Sequence, residues 1–215
     1  MELKTNNQNI IYLNWNDKEH IKAVSNLHIK LLPESILSKL GYLFLSKFYY
    51  AKLTKHNLID VYLYKQKEEY AGFISCTNKP FTFMGEGKKK NFLFIIALLG
   101  LLIVLSPNKL KCLLKMKNDF SLDNLQKKFG DDIGQFLSFG VLEDYRKSID
   151  PTEEITVPNV LMKLVSSHFK INNKKCFFLM VLKTNVTAIK FYEKHCGTII
   201  TSDNKNESVT VKFDL

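Results

Sequence analysis

The segment Cys176–Gly197, CFFLMVLKTNVTAIKFYEKHCG, limits the choice of folds more than any other part of the chain. It opens on an unbroken apolar run, Phe177–Leu182, of strand length and rich in aromatic and branched residues. Such a run reads as a strand covered on both faces, as in the middle of an α/β sheet. Lys183 and Thr184 turn the chain, and Asn185–His195 then places Val186, Ile189 and Tyr192 at helical intervals. Gly197 stands where a helix ends in a left-handed residue. A strand–helix unit of this kind points Asn185 and Tyr192 toward one end of a sheet, where ligands of open α/β sheets collect. The same spacing also describes a packing helix whose Phe191 and Tyr192 are core.

The rest of the chain alternates strand and helix signals. Asn9–Leu13 is a short apolar strand, and Asp17 is placed to cap a first helix carrying Ile21, Val24, Leu27, His28 and Leu31 on one side. Pro33 ends it, and Ser35 caps a second helix to about Leu53, in which Gly41 costs roughly 1 kcal/mol relative to alanine and implies a close contact. Asn57–Tyr64 and Tyr70–Cys76 form a hairpin across the charged turn Lys65–Glu69. Gln135–Val141 is a strand whose Gly140 suits a bulge or a close backbone approach. A helix starts at Pro158, and Ile199–Ser202 with Glu207–Phe213 makes a last hairpin turned through Asp203–Asn206.

Between these lies Phe92–Leu105, fourteen uninterrupted apolar residues preceded by Lys88, Lys89 and Lys90 and followed by Pro107. As a helix it reaches ~21 Å, short of a ~30 Å hydrocarbon layer, so a transmembrane span is not expected. With a second helix over Asn108–Met116 it reads as a helical hairpin covering the sheet. The alternative is a wall of the acceptor site, or a contact with a membrane surface or partner through exposed leucines.

At 215 residues and 46% hydrophobic content, the chain is expected to be one domain, 1–215, with 87–118 as an insertion. Cys76, Cys112, Cys176 and Cys196 are scattered and the five histidines dispersed, which implies reduced thiols and no metal site. The opening MELKTNNQNI has no apolar signal core, so a cytoplasmic protein is expected. Net charge is +10. That attracts polyanions in general, but no basic region alternates with stacking aromatics, so nucleic acid is not the expected partner.

Asn185, Ala188, Phe191, Tyr192, Glu193, Lys194 and Gly197 together resemble the last motif block of the GNAT superfamily of N-acetyltransferases, N-x-x-A-x-x-F-Y-E-K-x-G, with one extra residue before the glycine. Ala71–Ile74, AGFI, is similar to the family's v-G-F-i strand, and Gln135–Val141, QFLSFGV, to its central strand e-L-l-s-i-a-V. The resemblance implies a mixed, mostly antiparallel α/β sheet flanked by helices, with a helical hairpin inserted between the third and fourth strands. It implies acetyl-coenzyme A as co-substrate and a primary amine of a small molecule as acceptor. Phe139, Gly140 and Val141 would pair with the pantetheine amides where two central strands splay apart. Asn185 would help hold the thiol arm, and Tyr192 would donate a proton to the departing thiolate.

The family's phosphate loop, y-R-G-x-G-x-G or A, is only partly matched. Tyr145, Arg146 and Lys147 are present, but no glycine lies between Gly140 and Gly197, and Ser148–Val157 is a polar loop with Asp150, Glu153 and Glu154. In one reading Thr156–Val160, Asn159 among them, still present N–H groups to the pyrophosphate, Arg146 and Lys147 add charge, and the acidic loop swings into solvent or toward the acceptor. In the other the cradle is lost. A base for the acceptor amine is sought among Glu143, Asp144, Glu34, His28 and an ordered water. Acetyl transfer, binding of coenzyme or partner without transfer, and a membrane-surface or interaction module built on Phe92–Leu105 all remain open.

Overall fold

The computed structural model describes residues 7–105, 130, 132–201 and 207–215. Seven strands make one sheet: β1 (Ile10–Tyr12), β2 (Asp60–Gln66), β3 (Glu69–Thr77), β4 (Ile133–Val141), β5 (Cys176–Leu182), β6 (Thr198–Thr201) and β7 (Ser208–Asp214), in the spatial order β1-β2-β3-β4-β5-β7-β6. Every neighbouring pair is antiparallel except β4 and β5, which run parallel. The fold is therefore α/β with a mixed, mostly antiparallel sheet, as the family resemblance implies.

One face is covered by α1 (Lys18–Leu31), α2 (Ile36–Leu40), α3 (Tyr42–Phe44), a π-type turn (Leu45–Tyr49) and α4 (Tyr50–Lys55). Asp17 caps α1 by accepting from the His20 N–H at 3.0 Å. The long second helix expected from the sequence is broken, because Gly41 sits at φ +90°, outside helical space. That positive φ favours glycine at the break. Val24, Leu27, Phe48, Tyr49 and Leu53 pack there on Leu63 and Phe73. The opposite face carries α7 (Val157–Ile171) and α8 (Val186–Lys194), in line with the helices expected from Pro158 and Asn185. Leu161, Val165 and Phe169 of α7 pack on Ile74, Phe136 and Phe177. The burial of these two apolar layers is the main stabilising term of the fold.

Between β3 and β4 stand α5 (Phe83–Lys90), which the sequence reading missed, and α6 (Phe92–Leu105), whose start it placed correctly. Lys88–Lys90 form the last turn of α5. A Cβ on Gly87 would lie 2.2 Å from Leu53 Cδ2, so α5 is seated hard on α4. Phe94, Ile95 and Leu98 face the same core, while Phe92, Leu93 (80% exposed), Ile96 and Leu101 face outward. No described helix is long and apolar enough to cross a membrane. Asn108–Met116, Cys112 and the turn Asp203–Asn206 lie outside the described residues.

Candidate functional site

The site begins where β4 and β5 separate. They are paired only over Ile133–Gln135 against Cys176–Phe178. From Phe136 onward β4 follows β3, and from Leu179 onward β5 follows β7, so a gap opens toward Val141 and Leu182. The β3–β4 ladder fixes which backbone groups face it. Leu142 N–H donates to the Ala71 carbonyl at 2.8 Å, making that couple a hydrogen-bonded pair. In an antiparallel ladder such pairs alternate with couples whose N–H and C=O point away. Continuing the register, Gly140 and Ser138 bond to β3, while Phe139 and Val141 direct their backbone groups into the gap. An extended chain with amide groups can add along that edge as a strand would.

Of the three positions expected on this edge, Phe139 and Val141 present backbone and Gly140 does not. Nor is Gly140 the bulge: Ser75 pairs with Ser138 and Cys76 with Phe136, leaving Leu137 as the extra residue. Gly140 marks a close approach instead, since a Cβ there would lie 2.8 Å from Leu31 Cδ1. The C-terminal end of α1 thus rests on β4 beside the gap. At the crotch, the buried amide oxygen of Gln135 has no hydrogen-bond partner among the described residues, a feature no sequence signal marks.

On the other face α8 leans across from β5 to β4. Phe191 stacks on Phe139, with ring centroids 5.8 Å apart and planes 16° off parallel. Tyr192 lies between Phe136 and Phe213, edge-on to both at 6.1 and 6.2 Å. Burial pushes the Tyr192 phenol well above its usual range, so the hydroxyl stays protonated at any working pH. Asn185 caps α8, its Oδ1 accepting from the Ala188 N–H at 3.1 Å, which leaves the exposed Nδ2 as donor. The helix stop differs from expectation. Cys196, not Gly197, is left-handed at φ +64°. Gly197 is required because a Cβ would lie 2.6 Å from Val211 Cγ1 and 2.8 Å from the Tyr192 carbonyl.

The loop before α7 is anchored inward at Asp150, against the reading that sends its acids into solvent or toward the acceptor, while Ile149, Pro151, Thr152 and Glu154 stay exposed. Asp150 is fully buried and accepts from Asn7 Nδ2 and Asn9 Nδ2, both at 3.0 Å, from Tyr64 OH at 2.5 Å, and from the N–H groups of Thr152 and Glu153. Burial raises its pKa, yet these donors outweigh that and hold the carboxyl below the usual range. Glu153 pairs with Lys163, and only Glu154 of the three acids is exposed without a partner in the described structure. At the start of α7, Val157 N–H donates to the Ser148 carbonyl at 3.1 Å and Pro158 has no N–H. Asn159 alone keeps an outward N–H among the first three positions. Beside it a cleft of about 300 Å³ runs between α7 and α8, lined by Ile155, Asn159, Met162, Lys163, Ser166 and His195. Arg146 and Lys147 are exposed, and Arg146 Nε donates to the Val141 carbonyl at 3.2 Å, on the edge of the gap.

The base candidates are not brought together. Glu143 and Asp144 are exposed in the short turn that leaves β4, and Glu34 is exposed and paired with Lys39. His28 is buried with both ring nitrogens engaged, Nδ1 with Tyr50 OH at 2.6 Å and Nε2 with Ser35 Oγ at 3.2 Å, and burial lowers its pKa to about 4.

No family model matches the chain, and no curated protein matches its sequence. Solved structures do. A protein of Pyrococcus horikoshii OT3 matches with a TM-score of 0.55 at 13% identity, covering 96% of this chain and 98% of its own. A GNAT-family acetyltransferase of Staphylococcus aureus Mu50 matches with 0.52 at 13% identity over 96% and 98%. The PaiA N-acetyltransferase of Thermoplasma acidophilum, solved in complex with coenzyme A, matches with 0.51 at 10% identity over 96% and 99%. These likenesses reach across nearly the whole of both chains, and this chain has the fold of the GNAT acetyltransferases.

Proposed function

We propose that this chain is an acetyl-coenzyme A-dependent N-acetyltransferase acting on the primary amine of a small molecule, an amino sugar or an amino acid derivative. The observation that carries the reading is the parting of β4 and β5 with the Phe139 and Val141 backbones turned into the gap. A pantetheine arm offers amides at strand-like spacing and fits such an edge. The solved Thermoplasma relative holding coenzyme A supports the choice of donor.

In the reaction the neutral amine nitrogen attacks the thioester carbonyl, the C–N bond forms, the C–S bond breaks, and the proton lost by the amine passes through water to the departing thiolate. A free thiol has a pKa near 8.5, well below that of the buried Tyr192 phenol. Full proton transfer from Tyr192 to the thiolate is therefore uphill. The favourable role is a hydrogen bond donated to sulfur as it gains charge. The buried Gln135 oxygen supports a place for the acceptor's ammonium or hydroxyl donors on the α1 side of the gap.

Thiol release is measured with acetyl-coenzyme A and a panel of amino sugars and amino acid derivatives. Transfer to at least one amine is expected, with kcat lowered about 10²-fold in Tyr192→Phe and donor KM nearly unchanged. Binding of coenzyme A without transfer to any amine selects the non-catalytic reading. A second reading, contact with an anionic lipid surface, rests on the exposed Phe92, Leu93 and Ile96 beside Lys88–Lys90. Flotation with anionic vesicles tests it: binding abolished in Leu93→Glu/Ile96→Glu supports the contact, and no binding by the unaltered chain removes it.

A further inference from the structure

We infer that this chain recognises its acyl donor through the pantetheine arm, with the diphosphate contributing little, so that it accepts a pantetheine thioester from either free coenzyme or a carrier protein. The inference rests on the acyl-transfer reading above and narrows its donor.

A backbone cradle for a diphosphate needs a run of unpaired N–H groups at a helix start and a loop free of negative charge. Neither is available here. Two of the loop's own amides are already committed to an anion, and that anion is Asp150. The N–H groups of Thr152 and Glu153 donate to its carboxylate, at 2.9 and 2.8 Å, and its N–H in turn donates to the Ile155 carbonyl at 2.8 Å. An isolated bridge between Ile149 and Thr156 closes the loop on itself. At the helix start, Val157 N–H is taken by Ser148 and Pro158 has none, leaving Asn159 and the N-cap Thr156, which positions 157 and 158 separate. The nearest lysine on α7, Lys163, is neutralised by Glu153 of the same loop. Arg146 and Lys147 remain, but exposed cations hold an anion weakly and only at low salt. The edge for the arm is retained by contrast, because the Phe139 backbone and the Val141 N–H face the gap and β5 has left it, although the Val141 carbonyl accepts from Arg146.

The test measures kcat/KM for acetyl-coenzyme A, acetyl-pantetheine and acetyl-phosphopantetheine on an acyl carrier protein, with one amine, at about 0.2 M salt. Acetyl-pantetheine within about ten-fold of acetyl-coenzyme A is expected, with that ratio unchanged in Arg146→Ala/Lys147→Ala. A preference for acetyl-coenzyme A beyond about ten-fold, or one that disappears in the double variant, overturns the inference. The carrier-protein arm separates the sources: faster transfer than from acetyl-coenzyme A assigns the carrier, and slower transfer the free coenzyme. No transfer from any donor to any amine sinks the acyl-transfer reading alone. Calorimetric Kd values for coenzyme A and pantetheine are then held to the same ten-fold criterion.

Discussion

Asp150 and His28 both lie wholly inside the protein, and they make opposite demands on protons. Asp150 serves as acceptor for five donors, so Asp150→Ala leaves the Asn7 and Asn9 amides, the Tyr64 hydroxyl and two backbone N–H groups short of a partner. The expected loss is about 3 kcal/mol or more, read as a lower Tm, with Asp150→Asn intermediate because one oxygen remains. An unchanged Tm in the alanine variant contradicts the hydrogen-bond assignment. His28 is held neutral by burial, with its pKa lowered to about 4 from 6.5. Its folded pKa is below its unfolded one, so the unfolded chain takes up the proton first. Stability is full above pH 6.5 and declines as pH falls toward 4, by on the order of 3 kcal/mol across that window. The depressed Asp150 carboxyl acts only below about pH 4, where its contribution is lost as the unfolded chain protonates. Denaturant midpoints against pH should therefore slope between 6.5 and 4 in the wild type and slope less in His28→Gln, where His168, its pKa also lowered by burial, keeps the remainder. Helical spacing already puts His28 on the apolar side of α1, but nothing in its residue type marks Asp150 as buried. An aspartate in a polar loop reads as solvated, and only the convergence of Asn7, Asn9 and Tyr64 from distant parts of the chain reverses that.

Elements were legible where one local rule governs them and illegible where the partner is remote. The start of α6, the α8 segment and the strand before it follow from hydrophobic run length and period, and their bounds lie within a residue of expectation. The break at Gly41 and the π-type turn after it were hidden by a continuous apolar period through Tyr49, which is satisfied by burial on the sheet whether or not the helix is regular. Gly197 was assigned to the correct helix end for the wrong reason: packing on Val211 and Phe213, not backbone handedness, forbids a side chain. Gly197→Ala is accordingly expected to cost about 1–3 kcal/mol by overpacking, although its backbone suits alanine. Unaltered stability of that variant contradicts the contact. The apolar α6 makes a paired prediction. Leu98, facing the α4 core, loses about 2–5 kcal/mol on truncation to alanine, whereas Leu93, 80% exposed, loses under about 0.5 kcal/mol. Equal losses contradict the face assigned to α6.

At the scale of the molecule, the gap and the charge act together. A sequence pattern records which residues suit a strand but not where two strands stop pairing, so the parting of β4 from β5 was accessible only through resemblance to a family with that trait. Likewise, +10 of net charge states a sign without a location. The structure supplies a location for part of it: Lys163 and Lys175 are matched by Glu153 and Asp132, while Arg146 and Lys147 stand exposed next to the gap. A field of this kind acts at long range and is screened with a Debye length of about 10 Å at 0.1 M salt and about 30 Å at 0.01 M. It raises the local concentration of a polyanionic donor without contacting it. Attraction by the field and recognition by contact therefore differ in salt dependence. Raising salt from about 0.01 to 0.2 M is expected to raise KM for acetyl-coenzyme A several-fold while leaving KM for uncharged acetyl-pantetheine flat. The two values should converge at the upper end, with kcat unaffected for both. A gap between the donors that persists undiminished at high salt marks a short-range phosphate contact, which the committed amides of the Asp150 loop do not provide.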